Sequence, residues 1–437
     1  VTYETGKNLS LHTVDVRYAP QYHDIEPLES KINLTSTVTL LLSTQVANIS
    51  ELHMTTVPAS IPVLVWAARR AHLGDESLVR HFRKWPLWIT GEAQPTLRQL
   101  EDFSRLTHTA IGFFFLPEPP ALKLPVPDFR TLSNHELAEP SSALLDTIYL
   151  CQQRQDWYRD YALTHGLQKQ DFVGSVSLDI SPETTARSIS EKIRLNAEER
   201  HELTSWTDAL RQLILKTEEA GVLVMRSGIV GTNSHRPLDP GEFRGFALGD
   251  DFAPLVFLNG ADSKAAQMFT LAHELAHIWL GATGVSDAEV GQLPERNIER
   301  WCNKVAAELL MPLQETQLTY RKGEPIPDAI QRMAREFKVS TLVALRRLFE
   351  AGFISQTQLS QHYRDEAARL RHLEIRGNNG GGDFYRTLSS RTGKRFAQAI
   401  IADTLEGRTL FRDAFHMLGV RKTNTFYEAA RELGVTS

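Results

Sequence analysis

Two histidines four residues apart, His273 and His277, flank a glutamate in the string His273-Glu274-Leu275-Ala276-His277. On a helix, positions i and i+4 share a face, so both imidazoles can reach one metal ion while Glu274 points toward a water held there. The chemistry open to such a group is metal-assisted hydrolysis of a peptide bond. The metal polarises the carbonyl and acidifies the water, and Glu274 takes the water's proton and returns it to the leaving amine.

The surroundings demand a buried helix. Ala265, Ala266, Met268, Phe269, Leu271, Ala272, Leu275, Ala276, Ile278 and Leu280 form an apolar run with no proline before Pro294. Two imidazoles and a carboxylate buried in such a run as plain packing residues would cost roughly several kcal/mol unless they were partnered.

A site of this type takes a third protein ligand and leaves one position for water. The segment Asn297 to Pro312 reads as a second helix ended by proline, with Ile298, Trp301, Cys302, Val305, Ala306, Leu309 and Leu310 on its apolar side. Glu299 and Asn303 lie four apart and share a face; Glu295 and Glu308 are the competing carboxylates. Spacing by itself does not choose among them.

The stretch from about Trp206 to Pro312 resembles the ImmA/IrrE family of bacterial metallopeptidases. The likeness lies in the HExxH helix, the short connection, and a second helix carrying Glu299, Asn303 and a Leu310-Met311-Pro312 ending. The resemblance implies that His273, His277 and Glu299 hold zinc, with manganese as the other ion such a donor set accepts, and that Glu274 is the catalytic base. It leaves Glu308 a structural or surface role. It also implies an α+β fold, predominantly helical, with a small zincin-like peptidase domain of short sheet and HExxH helix flanked by helical domains. The implied substrate is a regulatory protein, either an Xre-type repressor or a partner in a toxin–antitoxin pair. A competing role is that of a DNA-binding regulator, or an antitoxin that neutralises a PIN-like toxin by binding, with the peptidase fold as scaffold. A scaffold has no need of Glu274.

The elements that must position this chemistry are legible in outline. Short apolar runs over 220–225, 244–248 and 254–258 read as strands, the last expected to be the edge on which an extended substrate pairs. Asn259 and Gly260 close that strand, and Asp262 or Ser263 is placed to cap the long helix. His235, Arg236, Arg244 and Tyr320 are available as a second electrophile, and none is assigned.

Six segments follow from composition together with that resemblance, which supplies the peptidase core and the helix-turn-helix-like extension among them. Residues 1–53 match nothing in that family and stop just before Met54, which reads either as an upstream extension or as a peripheral segment. Residues 54–116 resemble the Xre-type helix-turn-helix, with helices over 63–70, 76–82 and 96–106. Arg69, Arg70, Arg80, Arg83 and Lys84 could meet DNA phosphates there. Two departures stand out: Ile89 replaces the family's Glu after Trp88, and Pro86 falls where a recognition helix belongs. Residues 117–200 are a proline-rich linker and a helical segment, with Leu144, Leu145, Ile148, Tyr149, Gln152 and Trp157 at helical spacing. Residues 201–312 are the peptidase core. Residues 313–375 form a helix-turn-helix-like extension, on which Arg346 and Arg347 read as a solvated face. Residues 376–437 are a C-terminal helical domain behind the glycine-rich hinge 377–383, its core drawn from Phe396, Ala399, Ile400, Leu405, Leu410, Phe415 and Leu418.

Composition narrows the class. A formal charge of −5 over 437 residues gives no global attraction to nucleic acid. Two cysteines, Cys151 and Cys302, exclude a disulfide framework. No run of about eighteen apolar residues occurs, and the first residues carry no charged, apolar, small-residue signal pattern. The expectation is a cytoplasmic protein acting on protein substrates, with DNA contact through residues 54–116 and no membrane.

Overall fold

Runs of three to five residues, bounded by glycine and proline, pair into a four-stranded sheet: β1 (Leu223–Ser227), β2 (Gly245–Leu248), β3 (Leu255–Asn259) and β4 (Gly284–Ser286) in the order β1-β3-β2-β4. The computed structural model describes residues 55–71, 73–121, 124–127, 140–195, 202–286, 297–374 and 384–435, to which all that follows refers. Residues 1–53, the glycine-rich hinge and Glu295 lie outside them.

β1 runs parallel to β3, and β2 runs antiparallel to both β3 and β4. β3 is therefore an interior strand, which corrects the expectation that 254–258 is the substrate-pairing edge. Every residue of β3 is buried, as a strand covered on both faces and both sides must be. The true edges are β1 and β4, and each meets a neighbour. Ser390 Oγ donates to Arg226 O of β1 at 3.4 Å, and Val285 of β4 donates its N–H to Pro127 O at 3.0 Å.

The helices preceding the sheet are α1 (Ile61–Arg70), α2 (Asp75–His81), α3 (Trp85–Thr90), α4 (Leu97–Thr107), α5 (Ser142–Thr164), α6 (Pro182–Lys192) and α7 (Trp206–Glu219). Then come α8 (Lys264–Trp279), α9 (Asn297–Leu310), α10 (Leu313–Thr319), α11 (Ile326–Phe337), α12 (Thr341–Glu350) and α13 (Gln356–Glu374). The C-terminal helices are α14 (Phe384–Thr392), α15 (Lys394–Leu405), α16 (Phe411–Leu418) and α17 (Thr423–Glu432).

Alternation along the strands gives each face of the sheet its own core. Val224, Ala247, Val256 and Leu258 pack with α7, α8, α9, α11 and α12. Leu223, Met225, Phe246, Leu248, Leu255 and Phe257 pack instead with α5 and the C-terminal helices. Val126 of the proline-rich stretch joins this second core, so that stretch and the C-terminal helices share apolar interior with the sheet. A sheet apolar on both faces needs a helical layer on each.

Two polar devices fasten the second layer. Arg154 of α5, 5% exposed, donates Nε and Nη2 to Met417 O at 3.0 and 2.7 Å and Nη1 to Arg391 O at 3.2 Å. A cation thus meets the carbonyl ends of α16 and α14, the charge that helix C-termini favour. Glu218 of α7 accepts the Arg395 N–H at 3.1 Å, capping α15 from outside. Gly393 precedes that helix at φ +78°, where an added Cβ would lie 2.9 Å from Val224 O and 3.0 Å from Glu218 Oε1. Burial raises the Glu218 carboxyl to about 7 against the pull of those amides and of Arg395 and Lys394.

Residues 61–115 form a separate bundle, α1 to α4 with a 3-10 turn, around Trp85, Trp88, Phe103 and Phe114. The stretch over 83–88 does carry a helix, but α3 is six residues long, begins at Trp85 with Pro86 in its first turn, and turns both tryptophans inward. Three further expectations are corrected. Tyr149 is 53% and Leu410 63% exposed, because Tyr149 lies on the outer side of α5 and Leu410 precedes α16 rather than belonging to it. Arg347 is buried rather than solvated: it pairs with Glu308, donates to Met311 O at 2.7 Å and reaches Glu350 at 2.8 Å. Glu308 also accepts from Leu313 N–H, which makes it the joint between α9 and α12.

Candidate metal centre

α8 carries the HExxH string, and its start is set by Ser263, whose side chain accepts the Ala266 N–H at 3.2 Å. The helix is buried over all thirteen residues from Gln267 to Trp279, so the three polar groups sit within protein rather than on a wet face. α9 crosses it and presents Glu299 and Asn303 from one side. α6 and the residues just before it brace both helices from outside. Trp279 Nε1 of α8 donates to Ser188 Oγ at 3.2 Å, and Trp301 Nε1 of α9 donates to Ile180 O at 2.9 Å.

His273, His277 and Glu299 converge, with one candidate ligand atom from each within 4.8 Å of the others. The two Nε2 atoms are 3.1 Å apart; Glu299 Oε2 lies 3.0 Å from His273 Nε2, and Oε1 lies 3.1 Å from His277 Nε2. Two ligands at about 2.0–2.1 Å from one tetrahedral ion would be separated by about 3.3 Å, so these spacings suit a shared cation. The donor set suits it as well, since two imidazole nitrogens and a carboxylate facing one point present lone pairs that only protons or a cation can reconcile. The residues fit a metal ion.

His273 Nδ1 lies 2.9 Å from Asn303 Oδ1. An amide oxygen can only accept, so the Nδ1 proton is placed there and the Nε2 lone pair is left facing the centre. Asn303 is the functional residue that sequence reasoning left without a role. Its spacing from Glu299 was the available signal, but the partner lies on another helix.

The electrostatics follow burial and pairing. Burial pushes the Glu299 carboxyl up, and the two imidazoles more than reverse this, leaving it at about 2. Burial lowers both imidazoles; at His273 the Glu299 charge outweighs it and the net direction is up, whereas His277 stays lowered. The pocket thus keeps Glu299 ionised, the state in which a carboxylate ligates.

Glu274 is fully buried beside the ligands, under β2. Gly245 of β2 makes that approach workable. A Cβ there would lie 2.5 Å from Thr270 Cγ2, 2.8 Å from Phe257 O and 3.4 Å from Glu274 Oε1. A glycine inside a strand is the usual sign of such an approach.

The residues considered as second electrophiles are engaged elsewhere. Arg236 pairs with Asp146 at 2.7 Å, Arg244 with Asp262 at 2.9 Å, and Tyr320 stacks on Phe353 with ring centroids 4.0 Å apart. His235 is exposed on the loop after β1, its N–H bonded to Asn233. Cys151 and Cys302 are both buried and free.

Comparison with known proteins bears on this region. Residues 392–432 match a domain of unknown function (DUF8813), a model that covers α15 to α17. Over 101 residues the chain is 35% identical to the radiation response metalloprotease IrrE of Deinococcus radiodurans, a match covering 22% of this chain and 31% of that protein. Residues 217–349 match the IrrE N-terminal-like domain, a span that runs from the end of α7 through α12 and encloses β1 to β4, α8 and α9. These matches support the ImmA/IrrE family for the part of the chain that contains His273, Glu274, His277 and Glu299.

Proposed function

We propose that this protein is a zinc-dependent endopeptidase that cleaves a regulatory protein, with an Xre-type repressor or a toxin–antitoxin partner as the substrate class. The observation that carries the reading is the convergence of His273, His277 and Glu299 with a fourth buried polar group, Glu274, between the two histidines. When bound, the ion would supply Lewis-acid polarisation of the scissile carbonyl and a water of lowered pKa. His273, His277 and Glu299 would hold it; Asn303 fixes the His273 tautomer.

Glu274 is the base and then the acid. Its carboxylate sits one helical position beyond a ligand, so it can accept the proton of the attacking water and deliver it to the leaving nitrogen. Burial under β2 excludes bulk water from this exchange and keeps the carboxylate in one place. A scaffold role has no use for a buried carboxylate at this position, which favours the enzyme reading over binding alone.

The test separates holding from cutting. Purified protein should contain about one metal ion per chain, His273→Ala and Glu299→Ala should lose it, and Glu274→Gln should keep it. In cells, the regulator encoded beside this protein should be cleaved by wild type and not by Glu274→Gln. Identical behaviour of the two with metal bound would sink the enzyme reading.

A further inference from the structure

A second concave site lies about the sheet's far side, where α5, the loop after β1 and the C-terminal helices meet. The cavity there measures about 310 Å³, at the small end of ligand pockets. Its charged lining is of one sign. Arg154, Arg391 and Arg421 contribute to the wall, beside His416, and no carboxylate does. Leu150 and Phe415 supply an apolar side.

Arg154 is the fixed member, held by carbonyls of Met417 and Arg391. Two further guanidinium groups stand on the same wall, Arg391 from α14 and Arg421 from the turn after α16, and add positive charge where an anion would enter. The like charges are held close. Burial chiefly, and the Arg391 charge in smaller part, lower Arg154 to about 10, with Cys151 opposing; burial likewise lowers Arg391. Backbone compactness keeps the mouth in shape. Gly419 turns at φ +68°, and a Cβ there would sit 2.5 Å from Thr232 Cγ2 across the opening.

We propose that this cavity binds a small phosphate-bearing molecule of about mononucleotide size, with Arg391 and Arg421 on the phosphate and Phe415 and Leu150 against its flat or apolar part. Guanidinium groups recognise phosphate through paired, charge-assisted hydrogen bonds, and the volume is that of a small molecule. The site bridges the sheet unit and the helices 392–432, so an occupant would tie one to the other. It shares no residue with the metal centre and stands whether or not the chain is a peptidase.

The full-length protein would be titrated with inorganic phosphate and with adenosine monophosphate by calorimetry, and its melting followed with each. The nucleotide should bind saturably, one per chain, with Kd below about 1 mM, and at saturation raise Tm by about 2 °C or more. Phosphate alone should bind more weakly at the same place, as shown by competition. Arg391→Gln with Arg421→Gln should weaken binding at least tenfold, whereas Arg105→Gln with Arg211→Gln should leave it unchanged. If the double variant does not fold, Arg421→Gln alone carries the test, since Arg421 is exposed. No saturable binding of either probe, wild-type affinity in the variants, or tighter binding of a phosphorylated peptide than of the nucleotide would each overturn the proposal.

Discussion

Replacing Asn303 by alanine tests whether the centre is built to hold metal. The perturbation removes one acceptor, Oδ1, at 2.9 Å from His273 Nδ1, and touches no ligand atom. In the wild type that acceptor requires the Nδ1–H tautomer, so Nε2 meets the other donors unprotonated. In the variant both tautomers become accessible, and the one protonated on Nε2 cannot ligate. The ring also loses its anchor. Loss of an outer hydrogen bond of this kind weakens metal affinity by about 10–100-fold, or about 1.4–2.7 kcal/mol. Stability of the metal-free protein should fall by about 1–3 kcal/mol, because fully buried His273 is left with an unsatisfied ring N–H, while alanine keeps α9 helical. The assay is competition for zinc against a chromogenic chelator at neutral pH, with Asn303→Asp as a companion whose carboxylate restores the acceptor. An Asn303→Ala affinity within about twofold of wild type would refute the reasoning, as would an Asp variant no better than Ala.

Three further outcomes follow from other contacts. The Glu218 carboxyl, at about 7 in the folded state against 4.5 ordinarily, binds its proton more tightly when folded. Stability from this group is therefore intact below about pH 4.5 and lost as pH rises through about 7, by about 3 kcal/mol. Glu218→Gln should flatten that dependence, and parallel denaturation curves for the two proteins from pH 5 to 8 would contradict it. Gly245→Ala must move β2 off Phe257 O and Thr270, costing about 1–3 kcal/mol, and should lower Tm by several degrees; an unchanged melt would show the contact is slack. Arg347→Ala strands Glu308 near a buried joint and should cost about 3–5 kcal/mol, part of which Glu308→Gln restores in the double variant; strict additivity would count against the pairing.

Much of the active segment could be read directly from residue order. The 3.6-residue period around His273 and His277 gave α8 and its buried character, Asp262 or Ser263 its start, of which the structure uses Ser263, and Pro312 the close of the segment behind α9, because these are local rules acting within one turn of helix. The first three strands were legible for the same reason, read over 220–225, 244–248 and 254–258 against 223–227, 245–248 and 255–259 in the structure. β4 was not: three residues, Gly284 to Ser286, carry no pattern long enough to distinguish them from a loop.

Local sequence determined which residues could do chemistry; only the tertiary structure decided how they meet. The choice of Glu299 over Glu308 rested on resemblance, because both stand on one helix and spacing does not rank them. The packing of α9 across α8 brings Glu299 to the histidines and sends Glu308 to Arg347. Strand order is a matter of pairing partners far apart in the chain, and so the interior place of β3 was invisible to any local pattern. The same holds for Tyr149, Leu410 and Arg347, whose burial depends on which neighbours arrive. Sequence periodicity reports the faces of an element, and long-range packing alone assigns each face its partner.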